Sequence, residues 1–347
     1  MDGRRNNFDG LRLFAAFTVM LTHSFLIGEG RIDHDPLMLL TRGKCTIGVM
    51  GVFVFFVVSG YLVTQSCETT GSIPRFLIKR ALRIYPGLAF CLVLLAFVLG
   101  PLETSLGIRA YLADPRSWGY VASNLAMHID WNTLPGVRFT GWEAGAIVNG
   151  PLWSLPCEVL MYLMVAALAA TGMLRLRVIL GLIAAGLVGI AFDTSSSGWL
   201  LGSALWMLSF FAAGMALYKL RAEPIFASRY ALVALLALAL AAWARLFIPA
   251  FALFGSYLVV YLAFAFRRVI PAARFGDLSY GLYIYGWPAE QAVTRALGGA
   301  APWWQVLGLS LPIAVVCAFC SWHLVEAPAL RLKPRGGGRP VADPQAA

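Results

Sequence analysis

Stretches of about 20 mostly apolar residues recur along the chain, separated by shorter polar breaks. Ten can be delimited: 11–28, 47–67, 84–102, 151–171, 178–193, 200–218, 230–248, 250–267, 279–297 and 304–324. A helix of that length crosses the hydrocarbon core of a bilayer. The pattern therefore predicts an all-α polytopic membrane protein, a bundle of about ten transmembrane helices. The weakest segments are 178–193, which is short, and the junction at Pro249, where two spans meet in a tight turn.

Composition agrees with the pattern. The chain is 60% hydrophobic and 13% charged, whereas a soluble domain is nearer a quarter charged. The net charge of +10 would suggest nucleic acid in a soluble protein, but no long basic tract with interleaved aromatics is present. Topology accounts for it instead, because cytoplasmic loops are rich in Lys and Arg. Placing both termini in the cytoplasm puts Arg4, Arg5, Arg75, Lys79, Arg80, Arg83 and most of the other basic residues on that side. Residues 1–330 read as a single membrane domain, and the Gly-, Pro- and Arg-rich stretch 331–347 reads as a short disordered cytoplasmic tail. The one long break, 103–150, falls on the outer face with no helix pattern of its own. Loops of that length often serve as lids or binding segments. Cys317 and Cys320 form a CxxC with no second pair, and His34 and His128 have no ligand-type neighbours at metal spacing, so no metal is expected.

Polar residues inside spans are costly and are functional candidates by default. Arg12 and His23 stand eleven positions apart, about 1,100° around a helix, so they share one face roughly 16 Å apart along the axis. Arg12 near a span end can snorkel to headgroups, and a lone His23 can hydrogen-bond a neighbouring helix. Asp9, three residues before Arg12, is placed for an intrahelical pair. In "GVFVFFVVSGYLV", Ser59 can bond across helices and Gly60 allows close approach. The segment "RFLIKRALRIYP", read as a loop, crowds Arg80 and Arg83 on one edge. They either follow the positive-inside pattern or clamp phosphate bidentately. Glu158 enters the fourth span after Trp153, where it could orient His23 or hold a substrate hydroxyl. The inner part of the ninth span carries Tyr280, Tyr283 and Tyr285, with Glu290 further along.

Taken together, "FDGLRLFAAFTVMLTH", "FFVVSG", "RALR", "LWSLPCEVLMY", "LSYGLYIYGWP" and "VEAP", in that order, resemble the membrane-bound acyltransferase-3 family. Its bacterial members acylate sugars of envelope polysaccharides and related acceptors. The resemblance implies that Arg12 and His23 are the first-helix catalytic pair. It implies that Arg80 and Arg83 serve the acyl donor, acetyl-CoA or another short acyl-CoA, with Ser59 in the second-span motif. Glu158 matches the acidic position after the family's tryptophan. It implies a carbohydrate or lipid-linked carbohydrate acceptor and a place in the bacterial inner membrane. One position departs: family members often have a histidine where this chain has Gly286.

On this reading His23 acts as general base or carries the acyl group covalently, and Asp9, Tyr280, Tyr283 and Tyr285 line the substrate path. Trp131 and Trp142 could stack on sugar rings. A transporter or flippase of lipid-linked saccharide is the alternative, since ten spans with intramembrane polar groups suit it too.

Overall fold

The computed structural model describes residues 6–128, 132–193, 199–265, 272 and 274–334. Arg4, Arg5, Trp131 and the tail from 335 lie outside the described residues. Each of the ten expected segments is helical. They are α1 (Phe8–Glu29), α2 (Ile47–Thr70), α3 (Ile73–Glu103), α4 (Gly150–Ala170), α5 (Leu176–Ala191), α6 (Trp199–Lys219), α7 (Ser228–Trp243), α8 (Phe247–Ala265), α9 (Leu278–Ala296) and α10 (Trp303–Arg331). Among the described residues no strand forms, only an isolated bridge between Thr104 and Val137.

Seven of these helices are long and apolar enough to cross a membrane: α1, α2, α3, α4, α6, α8 and α10. The other three fall short for two reasons. α5 and α7 are apolar but only 16 residues each. α9 has the length but carries Ser279, Glu290, Gln291, Thr294 and Arg295. It can afford them because nearly its whole circumference is buried against other helices, where polar groups meet protein and not lipid. The opposite case is α10, whose Leu309, Ile313, Val316 and Phe319 stay exposed. Large apolar side chains in such numbers on an outer face are what lipid contact requires.

Several boundaries differ from the sequence pattern. The basic segment expected as a loop is the first part of α3, which starts at Ile73 after a two-residue break. Pro74 in its first turn is compatible with helix initiation. Arg80 and Arg83 therefore ride on a membrane helix. The α7–α8 turn is at 244–246, and Pro249 lies in the first turn of α8. Arg331 closes α10 and does not begin a tail. The outer segment has helices of its own, Ile108–Ala113 and Pro115–Leu125, the second capped by Asp114 through the Arg116 amide.

Close approach explains the tightest contact. Gly60 of α2 faces the carbonyl of Phe211 on α6, where a Cβ would come within 2.0 Å, and Gly214 of α6 faces the carbonyl of Val57 at 2.1 Å. The two glycines make a reciprocal small-residue seam. Pro288 inside α9 cannot donate to the carbonyl of Ile284. That carbonyl is taken by the Asn149 side chain at 2.8 Å, which fastens the outer segment to α9.

Candidate functional site

α1 and α9 run side by side in the same direction, and ionisable side chains of the two helices meet at two stations along their seam. At the first station Asp277, the N-cap of α9, accepts from the Arg12 guanidinium at 2.8 Å and from Arg83 of α3 on the same Oδ2 oxygen. The other oxygen accepts from the Ser279 hydroxyl at 2.6 Å. Burial alone would raise the Asp277 carboxyl, but the positive charges of Arg12 and Arg83, with the Ser279 bonds, hold it well below the usual carboxylate range.

Next to this station opens a cavity. Its polar lining is Arg12, Ser59, Arg80, Arg83, Ser154, Glu158, Tyr162, Tyr280 and Tyr283, and its apolar lining includes Phe55, Phe56, Leu62 and Ile84. Ser59 donates to Glu158 Oε1 at 3.0 Å, and Tyr162 donates to the same oxygen. Tyr283 is held by Ser154 at 2.7 Å, and Tyr280 donates to the Ile84 carbonyl at 2.9 Å.

Arg80 is placed differently from Arg83. It bonds only weakly to Ser66 at 3.3 Å, lies 5.9 Å from the Tyr162 ring, and its buried Nε has no hydrogen-bond partner among the described residues. At the end of α10 the Lys333 ammonium is held below its usual range, by burial first and then by Arg80, Arg83 and Lys79. Positive charge is thus in excess at this end of the bundle. A guanidinium with no carboxylate bound to it among the described residues, beside crowded ammonium groups, fits a polyanionic phosphate group.

The second station is His23 near the other end of α1. Its Nδ1 lies 3.8 Å from Glu290 Oε2. The imidazole stands edge-on to Trp287, centroids 4.7 Å apart. Glu290 is completely buried, and neither carboxylate oxygen nor His23 Nδ1 has a hydrogen-bond partner among the described residues. Such groups need a further partner to offset their desolvation. The outer segment closes over this station, since Trp287 donates to the Ile147 carbonyl at 2.9 Å and Gln291 to that of Ala144 at 2.6 Å.

The structure brings seven of the sequence candidates to one cavity: Arg12, Ser59, Arg80, Arg83, Glu158, Tyr280 and Tyr283. His23 stands beyond it. Three expectations are corrected. Asp9 is exposed and Arg12 turns to Asp277, because a buried carboxylate offers stronger pairing than one facing out. Glu158 does not pair with His23; its Oε1 accepts from both Ser59 and Tyr162, and Glu290 is the carboxylate beside the imidazole. Tyr285 does not line the cavity with Tyr280 and Tyr283, being about 200° around the helix from Tyr283. Asp277 was not singled out from the sequence, and Glu290 was noted without a role. The available signal for Glu290 was a carboxylate in the middle of a span. At Gly286, a Cβ would sit 2.6 Å from Met20 Cγ, so a histidine there would need Met20 to move.

Comparison with known proteins adds the following. A profile of the acyltransferase domain family, acyltransferase 3, matches residues 5–322. An O-acetyl transferase of Shigella phage Sf6 is 26% identical over 93% of this chain and 95% of its own length. Nodulation protein 10 of Rhizobium leguminosarum bv. viciae is 28% identical over 95% of both chains. Acyltransferase MdmB of Streptomyces mycarofaciens is 28% identical over 46% of this chain and 38% of its own. No solved structure matches.

Proposed function

The chain belongs to the acyltransferase-3 family, and on that premise we propose that it moves a short acyl group, acetyl in the first instance, from cytosolic acyl-CoA to a carbohydrate hydroxyl on the far side of a bacterial cytoplasmic membrane. The observation that carries this reading is the seam between α1 and α9. Its basic end holds in an open cavity an arginine, Arg80, that no carboxylate among the described residues pairs with, and its other end holds a histidine–carboxylate pair under the outer segment.

The basic end is assigned to the cytosol, as the positive-inside rule asks. Arg80, with Lys79 and Lys333 nearby, binds the donor's phosphates. Arg83 and Arg12 stay fixed by Asp277 and shape the entry. Bound acyl-CoA supplies an activated thioester carbonyl. His23 takes the proton of the acceptor hydroxyl as its oxygen bonds the carbonyl carbon, and returns that proton to the departing thiolate. Positioned proton transfer of this kind is worth about 10²–10⁴ in rate. Glu290 positions the imidazole and balances its charge while the proton is held. Burial of the pair excludes water that would otherwise hydrolyse the donor.

The test is transfer of isotope from labelled acetyl-CoA to cell-surface glycan in membranes carrying the protein, with mass spectrometry of the glycan. His23→Ala is expected to abolish transfer. Arg80→Ala is expected to raise KM for acetyl-CoA about tenfold or more with little loss of thermal stability, since no internal carboxylate loses a partner. A His23→Ala protein with near-wild-type transfer, or glycan delivered across the membrane without acylation, would refute the reading.

A further inference from the structure

The two charged stations are separated by an apolar plug. Along α1 between Arg12 and His23, Ala16 and Met20 share one buried apolar cluster with Leu282 of α9, and Gly286 of α9 abuts Met20, where a Cβ would come 2.6 Å from its Cγ. Met20 is almost fully buried and sits about 4.5 Å below His23 along the helix axis. Phe55 of α2 lines the cavity and also packs against the Met20 cluster, with its ring 5.4 Å from that of Tyr283. The cavity therefore reaches Arg12, Phe55 and Tyr283 but stops short of His23. Phe55 at the cavity wall and Met20 next to His23 on α1 are thus the side chains that an acyl group would meet on a path from the basic end to the imidazole.

We propose that Met20 and Phe55, with Met20 seated on Gly286, form the size filter of the transfer, admitting an acetyl group to His23 and rejecting longer acyl chains. This rests on the acyl-transfer reading given above. Met is suited to the task because its unbranched thioether yields by small torsional changes, while a ring such as Phe55 does not shorten. Gly286 is the part of the filter that cannot grow. A methyl there would meet Met20 Cγ at 2.6 Å and drive it further into the passage. The acyl transfer itself is unchanged by the filter: the carbonyl carbon exchanges its bond to sulfur for one to the acceptor oxygen, and the hydroxyl proton leaves with the thiol.

The experiment compares acetyl-CoA, butyryl-CoA and octanoyl-CoA as donors with the full chain in lipid nanodiscs. Wild-type protein is expected to use acetyl-CoA with strong preference. Discrimination in an apolar pocket is worth about 10–200-fold per methylene, so Met20→Ala and Phe55→Ala are each expected to raise the butyryl-to-acetyl ratio tenfold or more. Gly286→Ala is expected to depress acetyl transfer at a near-wild-type melting temperature, which separates a narrowed passage from a folding defect, and Met20→Ala added to it is expected to restore transfer. An unchanged donor ratio in Met20→Ala and Phe55→Ala proteins that still transfer acetyl overturns the filter, as does failure of the double variant to recover. A wild-type chain that transfers none of the three overturns the functional reading, and the filter with it.

Discussion

Asp277 shows how one residue can hold a site together. Its single carboxylate serves Arg12, Arg83 and Ser279 in a largely buried setting. Removing one partner of a buried ion pair leaves an uncompensated charge and costs about 3–5 kcal/mol, so Asp277→Asn should lower the melting temperature in detergent clearly. The pH dependence follows from its depressed folded-state value. Its stabilisation is present in full above about pH 4, the usual range of an unfolded carboxylate, and is lost as pH falls through the lower folded value. The variant should have a flatter acid limb when unfolding is followed against pH. Glu290 makes a different demand. Glu290→Gln keeps the shape but not the charge beside His23, and should lower kcat by about 10²–10⁴ while KM for acyl-CoA stays near wild type. Both partnerships were out of reach of helical arithmetic. Arg12 and His23 could be placed on one face because they share an element, but Arg12 meets Asp277 across 265 positions of sequence. Asp9, three residues away, was the nearer and wrong choice.

At the scale of elements, hydrophobic runs located all ten helices, although α3 begins eleven residues before its run and α10 ends seven after, because in a bilayer the backbone must satisfy itself and a long apolar run has few other options. The misjudged features were those where local rules compete. The basic start of α3 reads as a loop by charge, yet its residues form helix well and Pro74 opens it. The outer segment 103–150 mixes Gly and Pro with two short helices whose caps matter more than their periodicity. Gly60 was legible as a close-packing position, whereas its counterpart Gly214 became visible only with α2 and α6 side by side. Each admits the other helix's carbonyl within about van der Waals distance. Gly60→Ala and Gly214→Ala should each destabilise the protein in thermal unfolding. Their combination should cost less than the sum, since either methyl alone already separates the helices.

For the molecule as a whole, polarity is sorted from inside to outside in reverse of a water-soluble protein. α7 and α10 present rows of exposed leucine, valine and phenylalanine, while α9 at the centre is the least apolar of the long helices and the most buried. That arrangement lets Asp277 and Glu290 stand at the two ends of one interior rod, each beside a residue of α1. It also bears on how the protein is made. A segment enters the membrane during synthesis largely on its own hydrophobicity, and a central carboxylate counts against it. α9 is therefore expected to fail as a lone test segment in a translocon insertion assay and to insert efficiently when α10 follows it, or when Glu290 is replaced by Leu. Efficient insertion of isolated wild-type α9 would contradict this. On these grounds the helix that carries Glu290 is one whose entry into the bilayer depends on its neighbours, which makes biogenesis a place where substitutions in α9 will be felt.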